Sequence, residues 1–213
     1  MNRLGSILID NRRYFTGFLC FFLAATLLLL ISGKAEAFII LNPYHRPFLD
    51  SFFQGLTFLG DGLFSLVVFV ILLLLRRYSP ALQVIIAFAA SALVAQGLKS
   101  FFSMPRPKEF FGPGKYPYFI DGVTHVGFSS FPSGHATSVF ALATMLAMLG
   151  KNKKWNILYL PGALLVGYSR IYLGQHFLGD ILMGSLIGVI LAILVHWLFI
   201  RRKPGKKQEN FIH

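Results

Sequence analysis

Phe131-Pro132-Ser133-Gly134-His135 stands between a loop of aromatic and polar residues and an apolar run from Ala136 to Leu149. Proline suits the start of a helix, where its missing N–H would have had no partner. Ser133 can cap such a helix, and Gly134 lets a ligand approach the backbone. The stretch therefore predicts a helix opening at Pro132 with a buried first turn. A helix start presents unpaired N–H groups and a positive dipole end, which favour an anion such as phosphate. His135 adds a group that gives or takes a proton near neutral pH. Alone, the pattern also fits a capped helix with an incidental histidine, so the rest of the chain has to decide.

Composition sets the surroundings of that helix. Of 213 residues, 55% are hydrophobic and 13% charged, about half the charge of an ordinary soluble domain. Several apolar runs reach the ~20 residues that cross a bilayer as a helix. The chain is thus expected to be an all-α, polytopic membrane protein with about six transmembrane helices in one bundle. The formal charge of +12 could suggest nucleic acid, but the cations cluster at the ends of apolar runs. That is the pattern of membrane orientation, and it excludes nucleic acid as the partner. The single cysteine, Cys20, lies inside an apolar run and is read as a small apolar residue.

The expected spans are Tyr14–Ser32, Leu56–Leu75, Ala81–Phe102, the run continuing from Pro132 to Leu149, Trp155–Tyr172 and Phe177–Ile200. Residues 1–13 form a polar N-terminus. Ala35-Glu36-Ala37 resembles a signal cleavage site, but the first apolar run is long for a signal and is read as a retained helix. Gly33–Gly55 is expected to be a mixed loop with a segment lying in the membrane interface. Gly60-Asp61-Gly62 is read as an interfacial turn. Residues 201–213 form a basic tail. One side collects Arg3, Arg12, Arg13, Arg76, Arg77, Lys151, Lys153, Lys154 and five tail cations, thirteen in all, against seven on the other. The richer side is expected to be cytoplasmic, with both termini inside. The loops around residues 99–135 and 170–176 then share the outer face, and residues 1–213 form one domain.

Three clusters fall on that face. The first runs from Lys99 to Arg106-Pro107, the second is Pro132-Ser133-Gly134-His135, and the third is Ser169-Arg170, His176 and Asp180. Lys99, Arg106 and Arg170 are cations where lipid-facing cations would be costly. Converging on a helix start, they suit a multiply charged anion, as phosphoryl transfer requires. His176 and Asp180 are four residues apart, so on a helix they share a face. A carboxylate on one imidazole nitrogen leaves the other free as a nucleophile. His135 can protonate a leaving oxygen and then activate water. Each fragment alone has an ordinary structural reading; eleven specified residues in order do not.

Together these motifs resemble the signature of the type 2 phosphatidic acid phosphatase (PAP2) superfamily, without a departure. The resemblance implies a six-helix, metal-independent bacterial lipid phosphatase of the cytoplasmic membrane, with no cofactor. It implies His176 as nucleophile forming a phosphohistidine, Asp180 orienting it, and His135 as acid and base. Lys99, Arg106, Ser133, Gly134 and Arg170 would bind phosphate. The scarce outer carboxylates (Glu36, Asp50, Asp61, Glu109, Asp121, Asp180) show no metal-ligand spacing.

The expected substrate is a membrane lipid phosphate or diphosphate at the periplasmic face: undecaprenyl diphosphate, phosphatidylglycerophosphate, phosphatidic acid or lipid A 1-phosphate. Phe110, Phe111, Tyr116, Tyr118, Phe119, Phe128 and Phe131 form either a headgroup-level belt or a packed loop. Lys108 and Lys115 could meet a second phosphate. Transfer to a second lipid instead of water is an alternative, and a transporter a distant one. His45 and His125 are read as surface residues and His196 as interfacial.

Overall fold

The computed structural model of the chain describes residues 3–42 and 45–201. Among them are nine α-helices and no strand. They are α1 (Arg3–Asp10), α2 (Arg12–Leu41), α3 (Pro47–Leu56), α4 (Gly62–Leu74), α5 (Tyr78–Phe102), α6 (Pro107–Phe111), α7 (Gly134–Leu149), α8 (Tyr159–Tyr172) and α9 (Leu178–Arg201).

Helix α7 is the axis of the bundle. Twelve of its sixteen residues are buried, from Ala136 to Met148, and it packs on α5, α8 and above all α9. Close approach is set by small residues. A Cβ at Gly184 of α9 would lie 2.6 Å from the Ser133 carbonyl oxygen, and one at Gly188 would lie 2.5 Å from that of Thr137. Between apolar helices, such small-residue contacts let backbones gain van der Waals contact. Helix α5 does the same with a buried stripe of Ala81, Val84, Ala87, Ser91 and Ala95. Tyr14 and Thr144 hydroxyls meet at 2.9 Å and tie α2 to α7. The outward faces carry large exposed apolar side chains, among them Leu23, Leu30, Val67, Leu74, Leu93 and Ile190. A belt of that size marks a membrane-facing surface.

Several expectations need correcting. Helix α7 starts at Gly134, with Ser133 as the N-cap and Pro132 one residue before it; Ser133 Oγ accepts from Ala136 N. The segment after residue 32 is no loop at first: the helix bends at Gly33 (φ 74°) and runs on to Leu41, because Ala37 and Phe38 are fully buried. The expected interfacial segment falls on a helix, α3, which opens on Pro47, buries Phe53 and leaves Phe48 and Phe52 exposed. The stretch Pro47–Gly60 meets α4 at a 55° bend. The N-terminal residues are not merely polar, since α1 is a helix burying Ile7.

Three stretches are long and apolar enough to cross a membrane: Arg12–Leu41, Tyr78–Phe111 and Leu178–Arg201; the bent pair would make a fourth. Helices α7 and α8, with 16 and 14 residues, are shorter than a full crossing needs. The basic tail beyond residue 201 lies outside the described residues.

At the end of the bundle away from the three motifs, cations cap helix C-termini. Arg3 Nη1 donates to the carbonyls of Ile200 (2.7 Å) and Arg201 (2.8 Å) on α9. Lys153 Nζ donates to Met148 O at 2.7 Å on α7. Both satisfy carbonyls that a helix end leaves without partners.

Candidate active site

The three motifs lie at helix ends: Lys99 in the last turn of α5, Gly134 and His135 opening α7, Arg170 in the last turn of α8, and Asp180 in the first turn of α9. The backbone knits these ends together. Ser133 N donates to Asp180 O (3.0 Å), so the turn before α7 is fixed to the start of α9. Asp180 Oδ2 accepts from Ser130 Oγ (2.5 Å) and Phe177 N (2.9 Å). One carboxylate thus organises the loops on either side of it.

His176 is 2% exposed, in the turn between α8 and α9. Its Nδ1 lies 3.5 Å from Asp180 Oδ2. That contact is long and poorly aligned for a hydrogen bond, and Nδ1 has no other partner. Asp180 is the acceptor to which a proton on Nδ1 would point. Burial pushes the His176 pKa down to about 4, against the upward pull of Asp180 and with help from Arg170 and Arg106. The ring is therefore neutral at pH 7, as a nucleophile must be.

Arg170 is 7% exposed; its Nη1 donates to Thr57 Oγ1 at 2.6 Å, and its Nε is buried with no acceptor. An unmatched buried donor on a guanidinium is costly unless a ligand takes it. Arg106 arrives from the loop before α6. Its Nη1 donates to Gln175 Oε1 (2.7 Å), and Nε and Nη2 reach Ser129 Oγ at 3.4 and 3.3 Å. Lys99 comes from α5: a Cβ built on Gly134 would lie 3.6 Å from Lys99 Nζ. His135 senses the charges of Arg170, Lys99 and Arg106 together with the His176 ring. All five charge-bearing side chains expected from the sequence thus share one electrostatic basin with Asp180.

Three partners of the site were not expected from the sequence. Gln175, 2% exposed, braces Arg106 and donates through Nε2 to Val123 O. Its only sequence signal is adjacency to His176. Gly60 lets the α3–α4 corner press on His135: a Cβ there would fall 3.0 Å from His135 Cβ and 3.2 Å from its carbonyl oxygen. The Gly60-Asp61-Gly62 turn does cap α4 through Asp61, but its place beside His135 makes it a wall of the site. Asn42 is fully buried and donates to the carbonyls of Ile171 and Tyr172, securing the end of α8.

His45 is not a surface residue. It lies between Asn42 Oδ1 (3.0 Å) and Asp50 Oδ1 (3.1 Å) and packs on the Tyr172 ring. His125 stays exposed. His196 bonds to Gln83 Oε1 at 2.6 Å, joining α9 to α5. The aromatic loop divides: Phe111, Tyr116 and Phe119 pack on the core, while Tyr118, Phe110 and Phe128 remain exposed. Lys108 lies 3.7 Å from Asp121.

A groove of about 270 Å³ opens beside the basin between α4, α5 and α7, lined by Gly60, Gly62, Phe88, Ala92, Lys99 and His135. Cations, two imidazoles and a carboxylate at one end of a helical bundle, with a groove reaching Lys99 and His135 from the side, suit an enzyme that handles phosphate in lipid.

A family model described as "PAP2 superfamily" matches residues 80–204. The lipid A 4'-phosphatase of Porphyromonas gingivalis is 31% identical over 177 residues, covering 80% of this chain and 75% of that protein. The crystal structure of Aquifex aeolicus LpxE has a TM-score of 0.67 at 31% identity, covering 76% of this chain and 94% of that one. That of a transmembrane PAP2-type phosphatidylglycerolphosphate phosphatase from Bacillus subtilis also has a TM-score of 0.67, at 26% identity, covering 90% and 98%. The chain belongs to the PAP2 superfamily and is a phosphatase by class.

Proposed function

We propose that the protein hydrolyses a phosphate monoester or diphosphate carried by a membrane lipid, through a phosphohistidine, at the outer face of the cytoplasmic membrane. In this reading six helices, α2, α4, α5, α7, α8 and α9, run alternately up and down as one domain. Lys99, Arg106 and Arg170 hold the phosphoryl oxygens, with the Ser133 hydroxyl and the Gly134 N–H that opens α7 beneath them. His176 Nε2 attacks phosphorus while Asp180 holds the Nδ1 proton. The P–O bond to the lipid breaks, and His135 gives its proton to the leaving oxygen. His135 then takes a proton from water, the water oxygen bonds to phosphorus, and the P–N bond breaks to release inorganic phosphate.

The observation that carries this reading is the gathering of three cations and two imidazoles at one end of the bundle, with Arg170 Nε buried and unmatched. The lateral groove suits a substrate whose tail stays in lipid. The named activities of the relatives, on lipid A and on phosphatidylglycerol phosphate, favour the same class. The test is phosphate release by the purified protein, without added metal, from undecaprenyl diphosphate, phosphatidylglycerophosphate, phosphatidic acid and lipid A 1-phosphate. Release from at least one is expected; release from none overturns the proposal.

A further inference from the structure

The opposite end of the molecule holds a second basic cavity. It measures about 360 Å³ and is lined by Ile9, Asp10, Arg12, Arg13, Lys153 and Lys154. Helix α7 separates it from His135, and sixteen residues of α-helix span about 24 Å. It is therefore no part of the phosphate basin described above.

Four cations face one carboxylate there. Lys153 is already engaged, with the carbonyls of Met148 and Ala147 and with Asn11 Oδ1, and it is the cation Asp10 acts on. Arg12, Arg13 and Lys154 are exposed, and the ion pairs of the described residues lie elsewhere, at His45–Asp50, Lys108–Asp121 and His176–Asp180. Three cations thus border the cavity with a net positive charge to offer.

The flanks are apolar. Helix α1 turns Ile7 inward and leaves Leu4, Leu8 and Ile9 at 39%, 40% and 50% exposure. On the other side Trp155 and Leu158 are 64% and 60% exposed. A short helix with an exposed apolar edge, next to cations and a tryptophan, has the make-up of a segment lying at the water–lipid boundary. A ligand that fits must join an anionic head to an apolar tail. A nucleic acid or acidic peptide would satisfy the cations and leave Leu8, Ile9, Trp155 and Leu158 against water.

We propose that this cavity is a binding site for the phosphate headgroup of an anionic glycerophospholipid of the leaflet opposite the catalytic basin. The phosphate oxygens meet Arg12, Arg13 and Lys154, and the acyl chains lie along Leu8, Ile9 and Leu158. The lipid is not a substrate there, since neither His135 nor His176 is within reach.

The test uses the full chain in detergent, offered phosphatidylglycerol or phosphatidylcholine of matched chain length and weighed by native mass spectrometry. The wild-type protein is expected to retain phosphatidylglycerol preferentially. Arg12→Gln, Arg13→Gln and Lys154→Gln should each cut that preference roughly fivefold, and the triple variant that combines them should lose it. An Arg76→Gln, Arg77→Gln variant, altered at another basic turn, should keep it. Thermal unfolding in phosphatidylcholine alone checks that each variant folds, and the exposed positions make that the expected result. Equal retention by the triple variant, or equal loss in the Arg76/Arg77 variant, overturns the site in favour of diffuse charge attraction. Displacement of the lipid by excess inorganic phosphate overturns it in favour of a free-anion site. A triple variant that changes oligomeric state while keeping its lipid overturns it in favour of a contact between copies.

Discussion

His176 and Gln175 are neighbours in sequence and opposites in proposed role, so they separate chemistry from positioning. Removing the imidazole proposed to form the covalent bond should abolish turnover: His176→Ala is expected to lower kcat on the order of 10,000-fold, measured by steady-state phosphate release. Gln175 touches no substrate in this scheme. It holds Arg106 at 2.7 Å, and in the proposed scheme Arg106 holds phosphate. Gln175→Ala is therefore expected to raise KM about tenfold and to change kcat by less than about threefold. A matched fall in kcat would assign Gln175 to the transition state instead. His176 also predicts a titration. Burial lowers its pKa to about 4, so the folded chain prefers the neutral ring. The unfolded chain takes up that proton near 6.5, so this contribution to stability is complete above 6.5 and is lost as pH falls towards 4. Histidine ring resonances in the labelled protein should show one imidazole, absent in His176→Ala, that stays neutral through pH 6. The nearness of His176 to Asp180 is readable in the sequence from their spacing, but not the way it is made: His176 stands in the turn before α9 and only Asp180 is on the helix. Gln175 is not readable there, because its partner Arg106 arrives from 69 residues away.

The same division holds for the helices. The apolar runs of α2, α5 and α9 are visible because bilayer-length hydrophobicity is a composition signal needing no partner. Helix α1 and the continuation of α2 past Gly33 are hidden, since both depend on which surface the short segment packs against. Ala37 and Phe38 become helical core only because α2 leans over the aromatic loop, with Phe38 against Tyr116 and Phe177 at 5.4 Å. The contact of α7 with α9 is the one on which the site most depends, for it carries the Ser133–Asp180 backbone bond. At Gly188 a Cβ would fall 2.5 Å from Thr137 O and 2.7 Å from Ala141 N, both backbone atoms that cannot swing aside. Gly188→Val is expected to cost about 1–3 kcal/mol and to lower the thermal midpoint in detergent. Gly97 on α5 has open space where its Cβ would be, so Gly97→Ala should leave the midpoint unchanged or raise it. Equal behaviour of the two variants would remove close helix packing as the reason for glycine at 188.

For the whole molecule the decisive question is which way it sits in the membrane, because that fixes which leaflet supplies the substrate. Thirteen Lys and Arg are expected on one side and seven on the other, and the seven include Lys99, Arg106 and Arg170. Those three are gathered at the basin, Arg106 by Gln175 and Arg170 by Thr57, and say little about orientation, so the bias that remains is steeper than the raw count. The fold agrees on what shares a side: α5 and α8 end, and α7 and α9 begin, at the basin, while α1, the turn at Arg76 and the Lys151–Lys154 turn lie at the other end. Lys115 and Lys151 are exposed in loops at the two ends. With Cys20 replaced by serine, Lys115→Cys should react in intact cells with a thiol reagent that cannot cross the membrane. Lys151→Cys should react only after the cells are opened. The reverse pattern would place the phosphate basin in the cytoplasm, leaving the phosphatase chemistry intact but requiring an inner-leaflet substrate. It would also move the proposed anionic-lipid cavity to the outer leaflet, so one labelling experiment fixes the address of both sites.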